Sequence, residues 1–154
     1  MNSALNHPEE KPTMLVVGGA GYIGSHAVLA LQQSGYNVMV LDNLVYGHRD
    51  LLEPLQVKLI EGDMNDRPLL DWLFTAHKIT AVMHFAAYAY VGESVTDPAK
   101  YYRNNVVATL TLLEAMLAAD IKTFVSLQPV PPMGCPKSSR FLKIIPSRRS
   151  TPMA

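Results

Sequence analysis

The chain has 154 residues, of which 49% are apolar and 17% charged, and this composition suits one folded domain with a hydrophobic core. Its formal net charge of zero gives no indication of nucleic-acid or membrane-surface binding. A single cysteine, Cys135, excludes an internal disulfide, and we predict no metal site. Residues 1–12 form a polar extension unlike a signal peptide, and no apolar run is long enough to cross a bilayer, so we expect a cytoplasmic protein.

Short apolar runs alternate with segments of helical periodicity along the first 125 residues. Gly35 follows the first helical segment, and Asp66 and Asp97 precede the second and third as N-caps, each with a proline in the first turn. In chain order we predict strand 14–18, helix 22–33, strand 37–42, a loop with a short helical turn at 44–55, strand 57–63, helix 66–78, strand 80–87, helix 97–119 and strand 121–125.

The alternation of strands with helices predicts the fold class. Buried strands without polar alternation indicate a parallel sheet covered by helices on both faces. We therefore predict an α/β fold, a doubly wound, Rossmann-like parallel sheet, over residues 13–125. In the third helix, apolar residues recur at helical spacing and are predicted to form its buried face: Val106, Leu110, Leu113 and Leu117.

Gly18, Gly21 and Gly24 stand where the first strand turns into the first helix. Such a turn lets backbone amides approach the diphosphate of a dinucleotide at a helix N-terminus. Asp42 ends the second strand, at about the expected spacing of ~20 residues after the glycine turn. A carboxylate at this position accepts hydrogen bonds from the adenosine ribose. With Asn43 beside it and no basic residue after it, the pattern favours NAD over NADP; a tight turn without a ligand is the alternative.

Further candidate residues follow the third and fourth strands. Asp63 could accept the adenine amino group, or it could be a surface acid or helix cap. Ala86 and Ala87 lie at the carboxyl edge of the sheet, where ligands bind in this architecture and where small side chains leave room for a cofactor. His84 is interpreted as a packed strand residue rather than a catalytic base.

Six motifs in this order and spacing carry a resemblance over residues 14–125: GGAGYIGSH, LDNL, EGDMND, HFAAYAYVGESV, DPAKYYRNNV and TLLEAM. The chain resembles the extended short-chain dehydrogenase/reductase family and, within it, the UDP-glucose 4-epimerases. The resemblance implies that NAD is the cofactor, with the diphosphate at the glycine turn, the ribose at Asp42 and Asn43, and the nicotinamide beside the fourth strand. The residues implied are Gly18, Gly21, Tyr22, Ile23 and Gly24 at the diphosphate, Asp42 and Asn43 at the ribose, Asp63 and Met64 at the adenine, Phe85, Ala86 and Ala87 at the nicotinamide, and Asn104 near the cofactor.

The chemistry that the resemblance implies is an internal oxidation and reduction of a UDP-sugar at C4, through a 4-keto intermediate, which interconverts UDP-galactose and UDP-glucose. In the family, a Tyr-x-x-x-Lys pair supplies the base, because the ammonium lowers the pKa of the phenol. No such pair remains after the fifth strand, so no catalytic residue is assigned. The sheet is expected to be incomplete at its C-terminal side, and the 154-residue chain to be inactive alone.

Residues 126–154 differ from the rest of the chain. They contain more than half of the prolines and five cations without an acid, which predicts an irregular, basic tail. Synonymous codons can be chosen for this segment such that the neighbouring frame reads FSSTCATYGVPQIIPISENHP and later NPYG, which resemble the family's missing region and the surroundings of its catalytic tyrosine. We therefore predict a reading-frame shift just after Val125; a basic arm that binds phosphates or a protein partner is the alternative.

Two other functions remain compatible with the sequence. One is an NAD-dependent nucleotide-sugar dehydratase or decarboxylase, which shares the glycine turn. The other is a non-catalytic NAD-binding module. For the complete enzyme, the resemblance implies a UDP-sugar substrate and a homodimer, without nucleic-acid or membrane partners.

Overall fold

The computed structural model describes residues 11–127. Within them, five strands form one sheet: β1 (Thr13–Val17), β2 (Asn37–Asp42), β3 (Lys58–Glu61), β4 (Ile79–His84) and β5 (Thr123–Ser126). The α-helices are α1 (Tyr22–Gln33), α2 (Arg67–Ala76), α3 (Val91–Thr96), α4 (Pro98–Tyr102) and α5 (Thr109–Ala118), and a π-helical turn over Arg103–Ala108 joins α4 to α5. Two 3-10 turns, Arg49–Leu51 and Glu53–Leu55, lie between β2 and β3.

The sheet is parallel throughout, with strand order β3-β2-β1-β4-β5. Chain order runs outward from β1 in both directions, so the connections after β1 and after β3 cross opposite faces of the sheet. The order reverses between β1 and β4, where a crevice opens at the carboxyl ends of the strands. The predicted doubly wound, Rossmann-like fold is confirmed.

Two hydrophobic layers hold the helices against the sheet. On one face, Leu15, Leu41 and Val82 pack with Leu73 of α2 and Leu112 of α5. On the other face, Val16 and Val40 pack with Val28 of α1, and the 3-10 turns close that layer with Leu52. Burial of such side chains contributes about 1.5–3 kcal/mol each, so the sheet is fixed from both sides and its carboxyl edge is a rigid platform.

The predicted helix starts agree with the structure because local capping sets them. The Asp66 side chain accepts a hydrogen bond from the Leu69 amide of α2, and the Asp97 side chain accepts one from the Lys100 amide of α4. Gly35 follows α1 with φ +86°, the left-handed conformation that glycine adopts without strain. Helix α1 spans the predicted residues.

The predicted third helix needs two corrections. It is interrupted by the π-helical turn, and its predicted face is largely exposed, with Val106, Leu110 and Leu117 at 55%, 54% and 74% exposure. Only Leu113 of that set packs against the core. The residues buried instead are Ala108, Leu112, Ala115 and Met116. This helix is apolar on both sides, so its periodicity did not distinguish the core face from the outer face.

Other differences concern element lengths. Strands β3 and β4 end at Glu61 and His84, two and three residues before the predicted ends, because the chain leaves the sheet where it begins to line the crevice. Helix α3 was not predicted. No helix within residues 11–127 is long and apolar enough to span a membrane. Cys135 and most of the predicted extension and tail lie outside the described residues.

Candidate functional site

The three motif glycines at the junction of β1 and α1 meet different physical constraints. Gly18 has φ +79°, and a Cβ there would lie 2.6 Å from the backbone nitrogen of Ala86. A Cβ at Gly24 would lie 2.2 Å from the carbonyl oxygen of Gly18, so this glycine lets α1 pack directly on the turn. A Cβ at Gly21 would meet the Gly18 carbonyl oxygen at 3.5 Å, an ordinary contact distance, so Gly21 has room at the start of α1.

Helix α1 begins at this turn and directs its N-terminus to the crevice. Its N-cap is Gly21, no side chain caps it, and its first turn contains no acidic residue. Tyr22 and Ile23 of that turn are 76% and 54% exposed. The amide groups and the partial positive charge of a helix N-terminus favour binding of an anion. Because no side chain of the first turn is acidic, this N-terminus can interact with the anionic group of a ligand.

A cleft of about 540 Å³, counting its part open to solvent, occupies the crevice between β1 and β4. Backbone and small side chains form much of its wall, which leaves room for an extended ligand. Its lining residues are Val17, Gly18, Gly21, Leu41, Asp42, Asn43, Tyr46, Gly47, Gly62, Met64, Phe85, Ala86, Ala87, Tyr88 and Asn104.

Asp42 is buried to 8% exposure and holds two loops together at the floor of this cleft. Its Oδ2 accepts a hydrogen bond from the Ala20 amide at 2.9 Å, and its Oδ1 accepts one from the Leu44 amide at 2.8 Å. Each carboxylate oxygen has a second lone pair. Asp42 can therefore accept further hydrogen bonds from a ligand while it keeps the glycine turn and the loop after β2 in register.

Asn43 and Asp63 are joined across the ends of β2 and β3. The Asn43 Nδ2 donates to the Asp63 carboxylate at 3.0 Å, and the Asn65 amide donates to the other oxygen of Asp63 at 2.8 Å. Asp63 lines a second cleft of about 700 Å³, which shares Tyr88 and Asn104 with the first. The two clefts therefore adjoin and form one groove.

The segment after β4 forms one wall of the groove and is fixed from two sides. Gly18 packs against the backbone of Phe85 and Ala86 on one side. On the other side, Asn104 donates from Nδ2 to the Ala86 carbonyl at 2.8 Å. Asn105 exchanges two hydrogen bonds with the backbone of Tyr88.

A polar network at the mouth of the groove joins three parts of the chain. The Lys100 ammonium of α4 pairs with Glu93 of α3 and donates to the Tyr46 hydroxyl at 2.9 Å. It also lies 5.3 Å and 5.2 Å from the ring centres of Tyr46 and Tyr88, a favourable cation–π distance. The Tyr101 hydroxyl lies 2.9 Å from Glu93. This network connects the loop after β2 to α3 and α4.

Charge and burial in this network shift the pKa of its members. The hydrogen bond from Lys100 lowers the pKa of Glu93, and the same contact raises the pKa of Lys100. Burial raises the pKa of Tyr88, although Lys100 opposes that shift. Burial also raises the pKa of Tyr101, and Glu93 adds to the effect. The pair therefore stays ionised and the two phenols stay protonated near neutral pH.

His84 is packed inside the fold, as predicted. Its Nε2 lies 3.3 Å from the Met64 sulfur, and its Nδ1 lies 3.3 Å from the Ser126 hydroxyl. Burial lowers the pKa of His84 to about 4. The imidazole is neutral at physiological pH and links β4 to β5.

Nine of the predicted cofactor-binding residues line the first cleft: Gly18, Gly21, Asp42, Asn43, Met64, Phe85, Ala86, Ala87 and Asn104. Of the others, Asp63 lines the second cleft, while Tyr22, Ile23 and Gly24 form the first turn of α1. That any of them binds NAD stays a prediction.

Six further residues line the first cleft and were not predicted: Val17, Leu41, Tyr46, Gly47, Gly62 and Tyr88. Only two of them had a local signal. Gly47 follows the Asp42–Asn43 pair closely, and a Cβ there would lie 2.7 Å from the Asp42 carboxylate. Gly62 stands at a strand end, where the backbone approaches Leu69. The remaining four line the cleft only because strand ends and the network bring them there.

A parallel sheet with a glycine turn at its switch point, facing an acid at the end of β2, defines a dinucleotide-binding Rossmann-like domain. The sequence model of the NAD dependent epimerase/dehydratase family matches residues 14–140. The chain therefore belongs to the NAD dependent epimerase/dehydratase family.

Relatives of known name agree with this membership. The chain is 49% identical over 128 residues to a UDP-glucose 4-epimerase of Rhizobium leguminosarum bv. trifolii, a match that covers 82% of this chain and 38% of the relative. It is 54% identical over 112 residues to a UDP-glucose 4-epimerase of Halalkalibacterium halodurans, covering 73% of this chain and 33% of the relative. The matches thus span about a third of the length of these curated relatives.

Solved structures show the same fold. The UDP-glucose 4-epimerase from Brucella ovis in complex with NAD superposes with a TM-score of 0.71 at 45% identity, covering 75% of this chain and 35% of that one. The UDP-glucose 4-epimerase from Bifidobacterium longum in complex with NAD⁺ and UDP gives a TM-score of 0.72 at 38% identity, covering 74% and 36%.

Proposed function

We propose that this chain is the NAD-binding portion of a UDP-glucose 4-epimerase, the enzyme that interconverts UDP-galactose and UDP-glucose. The names of its relatives and the NAD in related structures support this assignment. The observation that carries it is that the glycine turn and the buried Asp42, which are joined by the hydrogen bond from the Ala20 amide, line one cleft. That arrangement suits a diphosphate at the turn and a ribose at the carboxylate.

The residues present fit NAD, because the glycine turn leaves a cradle that side chains would fill. The turn residues Gly18, Gly21, Tyr22, Ile23 and Gly24 would hold the diphosphate, and Asp42 and Asn43 the adenosine ribose. Asp63 and Met64 would flank the adenine, Phe85, Ala86 and Ala87 would line the nicotinamide side, and Asn104 would lie near the cofactor. When bound, NAD would supply the hydride acceptor for oxidation at the sugar C4, and this chain's residues would bind and orient it.

The chain alone is expected to bind NAD without turnover, because its sequence contains no Tyr-x-x-x-Lys pair. This feature also supports the second candidate function, a non-catalytic NAD-binding module. For the complete enzyme we propose a UDP-sugar substrate, a cytoplasmic location and a homodimer. The exposed apolar residues of the π-helical turn and α5, among them Val106 and Leu110, support an interface between two copies.

Calorimetric titration with NAD and NADP tests the cofactor assignment. We expect NAD to bind and NADP to bind at least about tenfold more weakly, since a 2′-phosphate beside the Asp42 carboxylate is repelled. Asp42→Asn is expected to reduce the preference for NAD, because the amide removes the negative charge, and also to weaken binding of both nucleotides, because its NH2 group must face the Ala20 or the Leu44 amide. The matched control is Asp71→Asn, an exposed acid of α2 that pairs with Arg67. A folded chain that binds neither nucleotide contradicts the proposal.

A further inference from the structure

Asn104 and Asn105 both reach the segment after β4, although consecutive residues of an α-helix point in different directions. The π-helical turn over Arg103–Ala108 contains both of them. It widens the helix at this point, and such turns recur at functional sites. Asn104 lines the cleft, whereas Asn105 lines neither cleft. Asn105 therefore has a task that does not depend on touching a ligand.

The contacts of Asn105 resemble those of a neighbouring strand. Its Oδ1 accepts a hydrogen bond from the Tyr88 amide at 2.8 Å, and its Nδ2 donates to the Tyr88 carbonyl at 2.9 Å. One side chain thus supplies one donor and one acceptor, as a residue of a paired strand does. The segment 85–90 is outside the sheet ladder, and this exchange replaces a ladder pair for Tyr88.

Asn104 makes the arrangement a connected unit. Its Nδ2 donates to the Ala86 carbonyl at 2.8 Å and to the Asn105 Oδ1 at 2.9 Å. The carbonyls of Ala86 and Tyr88 are two residues apart, the spacing at which an extended chain directs its carbonyls to the same side. The two asparagines therefore fix alternate residues of the segment and also fix each other's amide orientation.

The opposite side of the segment contacts the glycine turn. Gly18 lies so close to Phe85 and Ala86 that a Cβ on it would be within 2.8 Å of their backbone. The segment is therefore held between the diphosphate turn and the π-helical turn. A shift of Tyr88 toward the cleft would carry Ala86 and Ala87 with it and change the wall where the nicotinamide is proposed to lie.

From these contacts we infer that Asn105 is a positioning residue for the dinucleotide: it sets the NAD affinity of the cleft by holding the 86–88 backbone, without contacting the cofactor. The inference rests on the proposed function for its ligand. It assigns a role to the second asparagine of the YYRNNV motif, which the sequence analysis left without one.

The test combines NAD titration with hydrogen exchange of the segment 85–90 in the full chain. Asn105→Ala removes both hydrogen bonds, and we expect NAD affinity to fall about tenfold while exchange accelerates in 85–90 and not in β1 or β2. Asn105→Asp keeps the acceptor but places a carboxylate oxygen against the Tyr88 carbonyl, so a loss at least as large is expected. The matched control is Asn37→Ala, whose side chain donates to the Lys11 carbonyl at 3.1 Å, away from the groove.

The outcomes separate this inference from the proposed function. NAD affinity of both Asn105 variants within twofold of the parent chain overturns the inference, as does unchanged exchange of 85–90. Accelerated exchange over the whole sheet indicates a general structural role and also overturns it. If the parent chain binds no NAD, the proposed function fails, and exchange in the variants still decides whether Asn105 holds the segment. A variant that does not fold is replaced by the other in both measurements.

Discussion

Replacing a glycine of this chain by alanine is expected to change the free energy of unfolding by different amounts at different positions. The reason is that backbone conformation and the space for a methyl group vary independently. Gly24 has an ordinary helical φ but no room, since its Cβ would lie 2.2 Å from the Gly18 carbonyl oxygen. Gly35 has room but a φ of +86°. Gly92 of α3 has neither constraint, because a Cβ there meets nothing within 4 Å. Variants at these three positions therefore separate the effect of backbone conformation from the effect of missing space.

Substitution by alanine at each position is expected to give three distinct stabilities. Gly24→Ala should lower the free energy of unfolding by more than about 3 kcal/mol, because backbone cannot give way as a flexible side chain can. Gly35→Ala should cost about 1 kcal/mol from the left-handed conformation alone. Gly92→Ala should be neutral or stabilise by a few tenths up to about 1 kcal/mol, since alanine favours a helix.

Urea denaturation of the three variants, compared with the parent chain, measures this order. A Gly24→Ala variant as stable as Gly35→Ala would show that the contact between α1 and the glycine turn is looser than described. The motif spacing in the sequence predicted a turn whose backbone amides approach a ligand, but not that Gly24 packs tightly on the Gly18 carbonyl while Gly21 has room. That distinction depends on the angle at which α1 meets β1, which no local pattern encodes.

At the scale of elements, capping and strand burial were predictable, and the orientation of the long helix was not. Asp66 and Asp97 mark helix starts because their side chains satisfy first-turn amides that otherwise have no partner in the helix. The core face of α5 has no comparable local signal, since leucines occupy both of its sides. The π-helical turn before it adds a further rotation that a regular period of 3.6 does not anticipate.

A pair of leucine substitutions on α5 tests which side faces the core. Leu112 is fully buried and Leu117 is 74% exposed. Leu112→Ala should therefore lower the free energy of unfolding by about 2–5 kcal/mol through lost burial and a cavity. Leu117→Ala, the same change one and a half turns further on, should stay within about 0.5 kcal/mol. Thermal or urea unfolding of both variants measures the difference, and equal losses would contradict the described orientation.

For the whole molecule, the doubly wound parallel fold and the location of the groove could be predicted because both depend on chain order. Alternating elements and right-handed crossovers leave few topologies, and a glycine turn after the first strand places the ligand at the switch point. The network of Tyr46, Glu93 and Lys100 could not be predicted, because its members come from three segments that only the folded sheet brings together. Long-range side-chain contacts of this kind have no local pattern.

The segment after Val125 decides whether this chain can act as an enzyme. In the structure β5 pairs with β4 on one side and ends the sheet described, and the sequence beyond it contains no Tyr-x-x-x-Lys pair. If a reading-frame shift produced this tail, a single-base change near codon 126 restores a sequence that resembles the family's fifth-strand region. We expect the chain as it stands to give no conversion of UDP-galactose to UDP-glucose, and the frame-restored protein to give turnover.

A coupled assay of UDP-glucose formation, run on both proteins at matched NAD occupancy, measures the difference, with the chain as it stands serving as the matched control. No turnover is expected from the chain as it stands, because the reaction needs a base within hydrogen-bond reach of the sugar hydroxyl. This chain supplies at most bound NAD, the hydride acceptor. The reading-frame shift is refuted if no single-base change in the gene restores the sequence that resembles the family. A restored protein that binds NAD but never interconverts the two sugars refutes the epimerase assignment while leaving the NAD site intact.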